Sequence, residues 1–418
     1  MSTSPQRRPL DGITILDLTV MTAGPVGTML LGDLGADVIK VEEPSQGDLA
    51  RGLGTQFVEG ESVQFLSQNR NKRSVRLDLK TPAGRDVFLR LARTADVVVE
   101  NFRPGTVDRL GIGYEAVKAL NPRVIYASVS AFGQSGPYAG WPANDPIVQA
   151  VSGVMDMTGE ADGRPVRVGA PLPDFGAAAM LAFGISTALL HRERNGEGQR
   201  IDTSLLAATL FSTIPRDGEA VRSGHAPQRL GSGHPTMVPY RNYQGSDGHW
   251  FFAAAFTPKF WQNLCQAIGR PELPADARFS DNRQRTAHRE ALDGILEEIF
   301  ATRPAAYWVD RLASRDVPCA LVQDYHTALT QDPQVRHNGA VLSFDHPVAG
   351  PMTNIANPVN FHASPAEVRR PPPVLGQHTR EVLLEKGFTA QELERLLADG
   401  TVLDSRVAVA PARGEGAA

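Results

Sequence analysis

Over its first 130 residues the chain switches repeatedly between β-branched runs and helix-forming segments, and few folds other than a parallel sheet with crossover helices accommodate that alternation. Ile13 to Leu18 (ITILDL) reads as a strand, Pro25 suits the first turn of a helix through Gly32, Gly35 closes that helix, and Val38 to Val41 is the next strand. This opening βαβ unit implies a right-handed crossover. Thr81 and Pro82 open another helix through about Arg93. Asp96 to Glu100 (DVVVE) and Val124 to Ser130 (VIYASVS) are further strands, with a short helix near Glu115 to Leu120 between them. The expected class is α/β, doubly wound, with ligands at the carboxyl ends of the strands. Two loops occupy such ends, TVMTAGPV after the first strand and NFRPG (Asn101 to Gly105) after DVVVE, and each also reads as an ordinary strand-to-helix turn. The stretch AGPVGTMLLGDLG lacks the GxGxxG spacing and gives no licence for a nicotinamide cofactor.

With 418 residues, the chain is long enough for two domains. Residues 1–216 read as the first part of a large domain. Composition shifts to Gly, Pro, His and Arg between Asp217 and Gly248, which marks entry into a small α/β domain over 217–325. There Trp250 to Ala255 reads as a strand, and Pro258 to Ile268, Arg289 to Phe300 and Ala305 to Ser314 as helices. Residues 326–406 are expected to return to the large domain, with Thr389 and Glu392 forming a capping box before a last helix. Residues 407–418 (VAVAPARGEGAA) are expected to be a disordered tail.

A net charge of −4 gives no broad basic field, so nucleic acid and anionic membranes are not expected partners. Two cysteines, Cys265 and Cys319, are too few for a disulfide framework or a zinc site and fit a reduced, cytoplasmic setting. No segment offers the roughly 18 uninterrupted apolar residues of a membrane span, and MSTSPQRRPL has no apolar signal core.

Pro171 to Leu190 (PLPDFGAAAMLAFGISTALL) stands apart: one aspartate, Asp174, precedes an apolar, small-residue helix expected to lie buried in the core. Asp174 reads as an N-cap, kept anionic by the helix dipole, or as a nucleophilic carboxylate on a rigid helix. Asp145 to Met157 reads as a further helix. The basic stretch Asn69 to Lys80 (NRNKRSVRLDLK) is a solvated face or, from the alternation Ser74 to Leu79, a half-buried strand whose Lys and Arg point at a phosphate-bearing ligand. No HExxH, CxxC, GxSxG or P-loop is present, and His225 and His234 flank a Gly-rich loop as packing residues.

Taken together, AGPVGTMLLGDLGADVIKVE, NRNKRSVRLDLKTPAG, VVVENFRPGTVDRLGIGY, NPRVIYASVSAFGQSGPY and RVGAPLPDFGAAAMLAFGISTALLHRERNGEGQRID resemble the class III CoA-transferases, the group of formyl-CoA and carnitine CoA-transferases. The resemblance runs from PLDGITILDLT to PPPVLGQHT. It implies a Rossmann-like large domain built from both chain ends, a small middle domain and an interlocked homodimer. It places the family's nucleophile on Asp174 and its CoA contacts on Thr22, Ala23, Leu77, Asp78, Leu79, Lys80, Asn101, Phe102, Arg103, Arg109 and Asp145. Where many members carry a basic residue after the second strand, this chain has Glu43. Coenzyme A and acyl-CoA enter as substrates, with no metal or redox cofactor.

The implied reaction passes through an aspartyl mixed anhydride and an aspartyl-CoA thioester. The related α-methylacyl-CoA racemases pair the aspartate with a histidine where this chain has Asn144, and an amide cannot serve as a second base. A non-catalytic CoA-binding module is the other alternative. The segments RLGSGHPTMVPYRNYQGSDG and RRPPPVLGQHT look most like members that use succinyl-CoA and dicarboxylates such as glutarate or hydroxymethylglutarate, and Arg229, Arg241 or His234 would then meet the distal carboxylate.

Overall fold

The structure is a computed structural model that describes residues 7–405. The chain divides into two compact units, one made of Met1–Ser152, Gly169–Ile214 and His337–Ala418, the other of Gly153–Val168 and Pro215–Arg336.

The first unit contains β1 (Thr14–Asp17), α1 (Ala23–Asp33), β2 (Asp37–Glu42), β3 (Lys72–Leu77), α2 (Pro82–Ala92), β4 (Val97–Glu100), β5 (Ile125–Ser130), α3 (Asp145–Val151), α4 (Leu172–Asn195), β6 (Arg200–Ser204) and α5 (Leu205–Ser212). These six strands and the short strand Val402–Leu403 form a seven-stranded sheet in the order Val402–Leu403, β3, β2, β1, β4, β5, β6. All pairings are parallel except that of Val402–Leu403 with β3. A parallel sheet is covered on both faces, so its central strands β1, β4 and β5 are buried along nearly their whole length. Leu16, Ile39, Val75 and Val98 face one core, with Phe88 and Leu91 of α2 and Leu383 and Leu393 from the C-terminal helices. Ile15, Val38, Val97 and Ile125 face the other, with Leu31 of α1 and Ala177, Leu181 and Ile185 of α4.

In the second unit, Tyr240–Gln244, Trp250–Ala254 and Cys319–Leu321 form an antiparallel sheet. Helices Pro258–Ala267, Arg289–Phe300 and Ala305–Ala313 contribute Trp261, Leu296 and Trp308 to a core shared with Tyr243 and Phe251 of that sheet.

Two expectations change. The helix expected from Asp145 to Met157 stops at Val151, because Gly153 takes a left-handed φ of 82° where the chain passes into the second unit. The long α4 is not buried all round. Ala177, Ala178, Leu181, Ile185 and Ala188 are buried, whereas Phe175, Phe183 and Leu190 on the other side are 50%, 66% and 52% exposed. Apolar composition on every face of a helix does not tell which face the rest of the chain covers. By length and composition alone this helix is also apolar enough to cross a bilayer. The tail expected from residue 407 lies outside the described residues.

Candidate functional site

Asp174 lies in the first turn of α4, after the N-cap Pro171 and the buried Pro173, and is therefore not itself the N-cap. The helix terminus alone would favour its ionised form. Two stronger effects oppose it. Burial first, then the neighbouring charge of Asp145, push the carboxyl from its ordinary 3.8 to about 7. The expectation of a fully ionised Asp174 at neutral pH is therefore corrected: the helix dipole is outweighed by desolvation and a like charge.

Asp145 opens α3 and is 6% exposed. Its Oδ2 accepts the backbone N–H of Asp174 at 3.3 Å, and its Oδ1 accepts Nε2 of Gln149 at 2.7 Å. Gln149, fully buried one turn along the same helix, was not singled out from the sequence, although an acceptor and an amide four residues apart on a helix face each other. Asn144 is the N-cap residue of α3.

Helix α1 packs along α4, with Val26 and Met29 against Ala178. Because α1 joins parallel strands β1 and β2, and α4 leads into β6 alongside β5, both helices run against the strands and begin at the carboxyl edge of the sheet. They pack tightly at Gly27, where an added Cβ would sit 2.8 Å from Cδ2 of Leu181 and 3.0 Å from the carbonyl oxygen of Ala178. Gly27 is one turn beyond Ala23, and Ala178 one turn beyond Asp174, so this close contact lies one turn into both helices. Thr22 and Ala23 are largely enclosed, at 9% and 4% exposure.

At the carboxyl ends of β4 and β5 lies a cavity of about 320 Å³ whose walls include Asn101, Phe102, Arg103, Ser130, Trp141 and Asn144. Trp141 is 55% exposed and its indole stacks on Tyr138 at 4.2 Å. Asp174 is not part of this cavity's lining; Asn144, which is, precedes Asp145 in the chain. The amide of Asn101 is engaged with the backbone: Oδ1 accepts the N–H of Val20 at 2.9 Å and Nδ2 donates to the carbonyl of Val20 at 2.8 Å. Arg103 and Arg109 are exposed, and Arg109 donates to Oγ1 of Thr106. At the end of β3, Leu77 is buried, Asp78 and Leu79 are half-buried, and Lys80 is exposed. Glu43 accepts the N–H groups of Ser45 and Gln46, each at 2.9 Å, closing a turn.

The reading of the basic stretch as ligand-facing fails for its first four cations. Lys72 donates to Oδ2 of Asp17 at 2.8 Å, and Arg70 grips the carboxylate of Asp33 through two nitrogens at 2.9 and 2.7 Å. Arg73 pairs with Asp37, Glu381 and Glu385, while Arg76 donates to the carbonyl oxygens of Pro44 and Asp404. β3 is buried along its whole length rather than half-buried, so cations here persist only because acidic groups and carbonyls from other segments meet them.

In the second unit, Arg241 pairs with Asp293 at 2.9 Å and Glu297 at 3.3 Å. Arg229 donates to the carbonyl of Gly163, and Nδ1 of His234 accepts the N–H of Thr236.

The family model described as CoA-transferase family III matches residues 10–379. Mouse (Mus musculus) succinyl-CoA:glutarate CoA-transferase is 36% identical over 397 residues, covering 94% of this chain and 90% of that protein. The acetyl-CoA:oxalate CoA-transferase of Acetobacter aceti is 40% identical over 386 residues, covering 92% and 97%. The succinyl-CoA:mesaconate CoA-transferase of Haloarcula hispanica is 39% identical over 388 residues, covering 90% and 96%. Among solved structures, a CAIB/BAIF family protein from Brucella suis superposes with a TM-score of 0.81 at 34% identity, covering 91% of this chain and all of that one.

Proposed function

This chain belongs to CoA-transferase family III, and from that premise we propose that it moves coenzyme A from succinyl-CoA to a dicarboxylate acceptor such as glutarate, with Asp174 as nucleophile. The observation that carries the proposal is the placement of Asp174: a half-buried carboxylate in the first turn of a rigid helix that starts at the carboxyl edge of a parallel sheet and packs on α1 one turn further along.

An Asp174 carboxylate oxygen attacks the thioester carbonyl, the C–S bond breaks, and a mixed anhydride and CoA thiolate result. The thiolate then attacks the aspartyl carbonyl, releasing succinate and leaving an aspartyl-CoA thioester. The acceptor carboxylate repeats the attack, giving a second anhydride. The thiolate finally takes the acceptor's acyl group and restores the Asp174 carboxylate. The net exchange consumes no proton and no electron. Because only the ionised carboxylate attacks, the pKa near 7 makes Asp174 more basic than an ordinary aspartate while a large fraction stays ionised at neutral pH. Thr22 and Ala23 meet the thioester, and the Asn101–Arg103 loop, with Leu77 to Lys80 and Arg109, carries the rest of coenzyme A.

The large unit is read as Rossmann-like, with a small middle domain, and the protein as a cytoplasmic homodimer in which a second copy covers the apolar face of α4. The oxalate and mesaconate relatives support a dicarboxylate acceptor while leaving its length open. A panel of acyl-CoA donors against mono- and dicarboxylates tests the reading. Exchange between succinyl-CoA and a C4 to C6 dicarboxylate is expected, and no exchange with any dicarboxylate would sink it.

A further inference from the structure

The loop between β1 and α1 contains a backbone conformation that a methionine rarely adopts: Met21 has φ 70°, in the left-handed region. Such a peptide persists where its surroundings over-determine it, and such places cluster at functional sites. Here the surroundings are side chains from several other elements. Oδ1 of Asp48 accepts the N–H of Met21 at 2.9 Å and also that of Ala50 at 2.9 Å. Oδ2 of Asp48 lies 2.8 Å from Nζ of Lys40, both side chains fully enclosed, and the same ammonium donates to the carbonyl of Thr19 at 2.7 Å. Asn101 holds both polar groups of the Val20 peptide, and Oδ1 of Asp17 accepts the N–H of Thr19 at 2.9 Å. Asp48 is itself anchored, since its N–H donates to Glu42 at 2.9 Å and Glu42 is gripped by Arg51 at 2.8 Å through two nitrogens. Residues 19–21 are thus pinned peptide by peptide immediately before Thr22 and Ala23.

We propose that Asp48 is a positioning residue for the exchange reaction: it holds the left-handed Met21 peptide so that Thr22 and Ala23 keep their place at the start of α1. The proposal rests on the reading that Asp174 attacks a thioester lying against Thr22 and Ala23. Asp48 touches no substrate. It acts through a backbone it keeps from relaxing, and its second carboxylate oxygen, facing Lys40, serves the fold.

The two oxygens separate the two roles. In the full-length protein assayed with succinyl-CoA and glutarate, Asp48→Ala is expected to lower kcat by roughly tenfold, the population cost of an unheld left-handed residue, with KM for succinyl-CoA within about twofold. Asp48→Asn keeps an acceptor for the Met21 N–H but loses the charge facing Lys40. It is expected to return kcat to within about threefold of the parent while lowering thermal stability as much as the alanine does. Glycine adopts φ 70° without strain, so in a Met21→Gly background the Asp48→Ala cost should shrink to about twofold. An unchanged kcat in Asp48→Ala, an asparagine as slow as the alanine, or costs of Met21→Gly and Asp48→Ala that simply multiply would each overturn the proposal. If Asp48→Ala does not fold, Asp48→Asn decides it, a loss of roughly tenfold counting against and a loss below about threefold for. Asp174→Ala run in parallel keeps the underlying reading separate: turnover in that variant would sink the reading itself, whereas an inert Asp174→Ala beside an unaffected Asp48→Ala would sink only the role given to Asp48.

Discussion

Oδ2 of Asp145 stands 3.3 Å from the backbone nitrogen of Asp174, so the group that helps fix the start of α4 also brings a second carboxylate against the one that helix presents. Holding Asp174 in place and raising its pKa are two effects of one side chain.

Replacing Asp174 by alanine is expected to lower exchange by on the order of a thousandfold or more, with the far-UV spectrum and CoA binding retained. Hydroxylamine added after succinyl-CoA alone should convert Asp174 to a hydroxamate, read by peptide mass. Absence of that adduct, with turnover intact, would rule out the covalent route.

The rate should climb as pH rises through about 7, where Asp174 loses its proton. Asp145→Asn removes the like charge while keeping an oxygen for the Asp174 N–H, so the rising limb of kcat/KM should move to lower pH. Burial is the larger cause of the shift, so the limb should stay above the ordinary aspartate range. A limb left in place by the substitution would show that Asp145 does not act electrostatically.

Stability carries the same sign in reverse. The folded carboxyl keeps its proton to about 7, above its ordinary 3.8, so folding loses stability as pH rises between those values. Asp174→Asn removes that penalty. Its melting temperature should exceed the parent's by roughly 2–4 °C at pH 8 and match it near pH 4, measured by calorimetry at both.

Gly27→Ala places a Cβ against the Ala178 carbonyl and the Leu181 side chain, and the carbonyl can move only with its helix. A stability loss of about 1–3 kcal/mol by denaturant titration is expected, together with a fall in exchange rate as α1 moves relative to α4. Full activity in a destabilised Gly27→Ala would separate the packing from the chemistry.

Lys72→Met leaves Asp17 enclosed without its ammonium partner, which should cost roughly 3–5 kcal/mol in the folded state. The protein that remains folded should keep its KM for succinyl-CoA, because both side chains are fully enclosed. Weakened CoA binding without loss of stability would restore the phosphate-facing reading.

The layer structure was legible because β-branched runs and helix-forming segments alternate at short intervals, and ends such as the Thr389 and Glu392 capping box have local causes that a short window contains. Asp174 stood out as a lone acid before an apolar helix. Its protonation was not legible, because desolvation depends on what packs over the site and because Asp145 meets it only after the intervening chain has gone through the other unit and back. The cations of β3 were misread for a related reason. Alternation along a strand tells which residues share a face, but not that Asp17, Asp33 and Asp37 wait there. The exposed side of α4 was hidden by composition that is apolar on every face.

Arg73 finds Asp37 early in the chain but Glu381 and Glu385 far downstream, and Arg76 donates to the carbonyl of Asp404 beside the strand that completes the sheet edge at β3. A ribosome releasing this chain from its N-terminus therefore exposes a strand on which Arg73 and Arg76 lack part of their hydrogen-bond partners until nearly the last residues emerge. The large unit thus closes late, and messages truncated shortly before Glu381 would leave its sheet unfinished at the β3 edge.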